Sequence, residues 1–385
     1  MAIAYERAEA ESYLNSIRNQ MQMIRLRHND QLDVAAQAHA TYLVQNNAFS
    51  HNEIEGYENF TGVHPYDRAF KAGYHTSMVS ENLSTKNKNS HRSLNGLFSA
   101  IYHRFAFLDP SMDELGIGIT QDKQITKNSA FVYVMGNQEI DHLCRGKSFH
   151  GTGKYIYHVC KEREHRIEKG NFNQALDRNR RDNPKIIVYP YDGQVEVPPA
   201  FYEEIPDPLP DYEVSGFPIS VIFNEYFFEV VAVHSFKLFT LAGKEVSDVR
   251  LMGQINDPNK KFTDKQYALF PLKRLAYDST YRAEIIYEIK GEQHTLSWTF
   301  HTKKLAEKLH IVTQKEESVT LKSGESHIVY FRPRHGGDFL TNVLFPSHVD
   351  VAFIDNNTIR ITVNDPSLDR FDIRSKKWVL HVKMD

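Results

Sequence analysis

A chain of 385 residues with 41% hydrophobic and 25% charged residues is too long for one ordinary core and has the make-up of two or three globular domains. The net charge is −3 and no Lys/Arg tract of five or more occurs, so nothing marks an electrostatic footprint for nucleic acid. No apolar run approaches the roughly 18 residues of a spanning helix, and the opening MAIAYERAEAESYL lacks the apolar stretch of a secretory signal, which does not by itself assign a cytosolic protein.

The first region reads as helical. Leu14, Ile17, Met21 and Ile24 recur at helical spacing, and Asp30 offers an N-cap before Leu32, Ala35 and Ala36. HPYDRAFKAGY signals a short helix with Pro65 early and Gly73 as its stop. A fourth helix is expected from Ser90 through SLNGLFSAIYHRFAFL until Asp109-Pro110. Beyond Pro110, ELGIGIT, SAFVYVMGN and KYIYHVC are short and β-branched or aromatic. Helices followed by strands indicate an α+β domain, which we end at residue 183.

Residues 186–213 hold six prolines and seven carboxylates with no Lys or Arg, a composition that rules out a helix or a central strand. The stretch 184–213 is therefore read as a connector that packs along a domain surface. FPISVIFNEYFFEVVAVHSFKLFTLAGKEV and YRAEIIYEIKGEQHTLSWTFHT, with a tight turn at Lys290-Gly291, predict a small β-sandwich over 214–303. Similar alternation around Asp355-Asn356-Asn357 predicts a second small β-domain over 304–385. Trp298 and Trp378 sit in alternating runs and read as core residues, with an exposed carbohydrate platform as the alternative.

In the fourth helix Leu94, Leu97, Phe98, Ile101 and Phe105 form the buried stripe. His103 lies about 200° around from Ile101 at roughly 100° per residue, beside Gly96, Ser99 and Ala100, whose small side chains leave room for a depression. His51, after the second helix, and Glu81, in VSENLS, are each compatible with an ordinary surface role. His142-x-Cys144 and His158-x-Cys160 would share a strand face and offer a Cys₂His₂ zinc set. Their spacing fits no familiar structural zinc motif, and a Cys144–Cys160 disulfide is the favoured reading.

The order NNAFSH, DRAFKAGY, VSENLS, a helix containing HR, and then DELGIGI resembles the CAP superfamily of cysteine-rich secretory, antigen-five and pathogenesis-related proteins. The likeness is strongest to its bacterial branch and covers about residues 8–160. The resemblance implies a three-layer α-β-α sandwich whose central cleft is lined by two histidines and acidic residues and binds a divalent metal, commonly zinc. By motif the metal set is His51, Glu81 and His103. The second acidic position of the eukaryotic relatives falls at or near Ala100, which removes one carboxylate, and Glu53, Glu55 and Glu114 are the candidates to make up for it. Ser99 and Arg104 are further candidates at the cleft; Arg68 and Arg104 could bind an anionic ligand at its rim, but on partly exposed helices such residues are more often salt-bridging surface cations, and His64, His75 and His91 lie in surrounding loops and helix starts.

Coupling of such a domain to Ig-like β-modules is similar to bacterial exported or surface proteins, so a secreted, periplasmic or cell-surface location is expected. A protein, envelope or small-molecule partner is expected with it. The reading favours a binding or interaction module. The alternatives are a metal-dependent hydrolase of peptides or cell-envelope material with Glu81 as base, and a lipid or sterol carrier. No HExxH or G-x-S-x-G is present to support an enzyme.

Overall fold

The computed structural model describes residues 1–122, 128–202, 204–334, 338–365 and 367–385. Helix α1 (Ile3–Gln20) buries Leu14 and Ile17 and is followed by the short strand β1 (Arg27–His28). Helix α2 (Asp30–Gln45) is capped by Asn29, one residue earlier than expected, whose Oδ1 accepts the Leu32 N–H at 3.0 Å. Helix α3 (Pro65–Lys71) opens on Pro65 and stops before Gly73, which has φ +95°.

Strand β2 (Ser80–Thr85) leads into α4 (Ser90–Ser99) and then α5 (Ile101–Phe107). The single fourth helix expected from the sequence is thus two. Ala100 is extended, with φ −80° and ψ 122°, so His103 rides on its own short helix and its angle to Gly96 and Ser99 is not that of one continuous wheel.

Strands β3 (Glu114–Gln121) and β4 (Ser129–Gly136) complete a sheet of order β1-β3-β4-β2, parallel only between β1 and β3. Period-two alternation sorts its side chains. Leu115, Ile117, Ile119, Phe131, Tyr133 and Met135 pack with α1, α4 and α5, while Ala130, Val132 and Val134 pack with α2 and α3. Gly116 and Gly118 face α2, and a Cβ on either would overlap the α2 backbone at Leu32–Asp33 or Ala36–Gln37. The Gly-Ile-Gly run therefore lets a helix lie flat on the strand. The result is the expected three layers.

Helix α6 (Gln138–Arg145), strands β5 (Tyr155–Ile156) and β6 (Ile167–Glu168), and helix α7 (Lys169–Arg181) follow. DHLC therefore lies on a helix, not on the strand expected, because Asn137 Oδ1 caps it through the Ile140 N–H at 2.9 Å. Cys144 and Cys160 form the disulfide. Closing a loop of this length constrains the unfolded chain by about 3 kcal/mol. A Cys144→Ser/Cys160→Ser variant should lose about that much protection in hydrogen exchange of residues 138–181, with the α1–β4 layers unaffected.

The first sandwich pairs β7 (Ile186–Tyr189), β11 (Ile219–Phe223), β13 (Val249–Met252) and β14 (Gln266–Pro271) in one sheet. Strands β8 (Gln194–Val197), β12 (Ala232–Thr240), β15 (Thr280–Ile289) and β16 (Glu292–Thr302) form the other. Between them β9 (Ala200–Phe201) meets β10 (Ser215–Gly216). The expected 184–213 connector is corrected here: 186–197 belongs to the sandwich. Strands β7 and β8 are edge strands, and Pro190, Pro198 and Pro199 stand just beyond their ends, where no ladder N–H is needed.

The second β-domain has sheets from β17 (Leu309–Val312), β19 (Ser326–Phe331), β20 (Val349–Asp355) and β21 (Thr358–Val363), and from β18 (Glu316–Leu321), β22 (Arg370–Ser375) and β23 (Trp378–Met384). The two β-domains meet at Arg274, whose guanidinium reaches Asp355 at 2.6 and 3.1 Å, with the Tyr202 hydroxyl donating to the same carboxylate at 2.9 Å. Trp298 and Trp378 are buried in the two cores, so neither forms an exposed platform. Among the described residues no helix is long and apolar enough to cross a membrane.

Candidate functional site

His51 follows α2, and its side chain is 45% exposed. Its Nδ1–H donates to Glu81 Oε1 at 2.9 Å, and Glu81 itself is buried on β2. The other oxygen, Oε2, takes Arg68 Nη2 from α3 at 2.8 Å. Arg68 also donates to the carbonyls of Gly62, Val63 and His51, so it sits inside the protein, neither at a cleft rim nor on the surface. Behind Glu81 lies His39, fully buried, with Nε2 at 3.7 Å from Glu81 Oε1 and Nδ1 at 2.9 Å from Glu53 Oε1. Burial alone would raise the Glu81 pKa, yet His39, His51 and Arg68 outweigh it and hold the carboxyl below its ordinary value. Glu53 is lowered in the same way, burial being outweighed by His39, the Thr61 N–H and Arg68.

His103 faces His51 with ring centroids 6.4 Å apart and planes at 28°. Its Nδ1–H donates at 2.6 Å to Glu204 Oε1, a fully buried carboxylate from the loop between β9 and β10. The two imidazoles therefore repeat one arrangement: Nδ1 is tied to a buried carboxylate, and no hydrogen bond from the described residues engages either Nε2.

The remaining candidates lie apart from this pair. Glu53 supports His39 and takes the Gly62 N–H at 3.3 Å. Glu55 is exposed beyond it. Glu114 accepts from the Tyr74 hydroxyl at 2.7 Å and Asn29 Nδ2 at 2.9 Å at the start of β3, so it does not replace the missing acid. Ser99 lines a separate cavity of about 430 Å³, with Tyr13, Tyr189, Val195 and Asp355. Arg104 is not on a rim: it is buried, donates to Phe98 O at 2.7 Å, Pro218 O at 2.7 Å and Ser220 Oγ at 3.0 Å, and burial pushes its pKa down to about 10. His64 Nδ1 meets Asn52 at 3.2 Å, His75 faces Asp141 and His91 meets Glu9.

Sequence reasoning missed His39 and Glu204. His39 shares the apolar stripe of Leu32, Ala35, Ala36 and Leu43, and a histidine on such a stripe was the available signal. For Glu204 the only signal was an acid-rich stretch without a single Lys or Arg.

A three-layer α-β-α unit with one histidine after its second helix and another on a helix after its second strand has the form of a CAP domain. Residues 11–137 match the family model described as CAP, the cysteine-rich secretory protein family. Among solved structures, the chain is similar to an extracellular protein containing an SCP domain from Bacillus anthracis (19% identity, TM-score 0.30), covering 34% of this chain and 40% of that one. It is also similar to an outer surface protein from Borrelia burgdorferi (18% identity, TM-score 0.31), covering 35% of this chain and 95% of that one. The chain thus spans well under half the length of the Bacillus protein. No curated protein matches.

Proposed function

We propose that the protein is an exported CAP-domain binding module whose cleft takes a divalent cation of the zinc type through His51 and His103. What supports this is the paired geometry: each Nδ1 is held by a buried carboxylate at 2.9 or 2.6 Å, the outer-sphere pattern that orients a metal-ligating histidine. Two imidazoles on one tetrahedral zinc would have centroids about 5 Å apart, from Zn–N bonds of about 2.0–2.1 Å. The rings would close from 6.4 Å, a movement open to half-exposed His51.

Glu81 is a positioning group in this reading, since both its oxygens are already engaged. Among the described residues no cluster of three or more His, Cys, Asp or Glu stands ready for a metal, so the cation keeps open positions and binds modestly. A carboxylate held ionised between Arg68 and His51 is also a weak proton acceptor, which favours binding over the hydrolase alternative. The Cys144–Cys160 disulfide supports an oxidising, extracytoplasmic setting.

The test is calorimetric zinc titration of the wild type beside His51→Ala/His103→Ala, with folding followed by circular dichroism. Binding by the wild type and none by the folded double variant is the expected result. A wild type that takes no zinc, or a double variant that binds equally well, refutes the cation site.

A further inference from the structure

We infer that Glu204 is the positioning residue for His103, so that the histidine site is completed by a segment outside the CAP domain. The inference takes its ligand from the cation reading above, while the geometry on which it stands is independent of any metal.

One oxygen of Glu204 collects three donors: His103 Nδ1 at 2.6 Å, the Tyr102 N–H at 3.0 Å and the His103 N–H at 3.1 Å. In an unbroken helix those two backbone N–H groups would reach the carbonyls of Phe98 and Ser99, four residues back. Here the Phe98 carbonyl takes Arg104 Nε at 2.7 Å, and the Ser99 carbonyl faces Arg104 Nη2 at 3.5 Å. Glu204 and Arg104 together replace the bonds lost at Ala100, and the break they support carries the imidazole to the carboxylate. Ala100, which caps the helix bearing His103, brings no acid of its own.

The second oxygen of Glu204 is buried and has no hydrogen-bond partner among the described residues. Such an atom costs stability, so a scaffold role alone does not account for a glutamate here. The loop is fixed at several points. The β9–β10 ladder closes it, Leu209 is buried, and Asn259 donates both to the Asp207 carbonyl at 2.7 Å and to the Tyr102 hydroxyl at 2.9 Å. Whenever the ring is neutral, an anchored carboxylate on Nδ1–H keeps the proton on that nitrogen and leaves the lone pair on Nε2, the form a cation requires.

The test uses the full chain with ¹⁵N-labelled histidine, comparing wild type, Glu204→Ala and Asp211→Asn. The last removes an exposed acid of the same loop, paired with Arg250. Long-range ¹H–¹⁵N correlation should give a single Nδ1–H tautomer for His103 in the wild type and in Asp211→Asn. In Glu204→Ala it should give averaged nitrogen shifts, and zinc affinity should fall about 10–100-fold. A His103 that keeps its single tautomer in folded Glu204→Ala overturns the inference. If wild type binds no zinc, the cation reading falls and the tautomer comparison alone decides the role of Glu204. Should the alanine variant not fold, Glu204→Gln replaces it. The His103 Nδ1 proton should then move upfield as its acceptor loses charge, and an unmoved resonance overturns the inference.

Discussion

Replacing Arg68 with methionine is expected to destabilise the CAP domain by about 3–5 kcal/mol, the range for removing one partner of a buried ion pair. Methionine fills much of the volume but supplies no donor for Glu81 Oε2 or for the Gly62, Val63 and His51 carbonyls. Among the described residues the buried carboxylate then has His51 and His39 for compensation.

The loss carries a pH signature. Glu81 is held below its ordinary pKa in the wild type, so its contribution is present above the unfolded value of about 4.3 and fades as pH falls through the depressed folded value. The gap between wild type and Arg68→Met, read from urea midpoints, should therefore hold its size from about pH 7 down to the unfolded value of about 4.3 and narrow as pH is lowered below it. A gap that stays constant below that value too assigns the loss to packing alone.

Gly118→Ala is the second large effect. The added methyl would meet the Ala36 backbone, which cannot yield without lifting α2 from the sheet. Overpacking against main chain should cost about 3 kcal/mol or more and displace the layer that carries His39. Gly96→Ala makes the contrast. That glycine is helical and exposed, and nothing lies within 4 Å of its prospective Cβ, so the change should stabilise by about 0.5–1 kcal/mol. Thermal melts of the two variants should therefore move in opposite directions.

Helices α1 to α3, the start of α4 and the Gly-Ile-Gly strand were legible in the sequence because each is set locally by spacing or caps, whereas His51, Glu81 and His103 were singled out only by motif order, and α6 was expected as a strand. Helix α7 escaped because its apolar stripe is thin, with Ala175 buried and Phe172 only partly so. The break at Ala100 escaped for another reason. Its causes, Glu204 on a distant loop and the Arg104 side chain doubling back on Phe98, are long-range or conformational, and the local pattern of Leu97, Phe98 and Ile101 continues smoothly across it. Arg68 and Arg104 looked like surface cations because single-sequence reasoning weighs residue type. Their burial follows from carbonyls and carboxylates that only the folded chain gathers around them.

The short helix α5 has a wider meaning for how this chain can change. Three successive residues are each gripped by a different downstream part: Tyr102 by Asp257 and Asn259, His103 by Glu204, and Arg104 by Pro218 and Ser220. The family match ends at residue 137, before any of those partners. A domain transplanted at that boundary would carry both histidines into its new host and leave behind the groups that hold one of them.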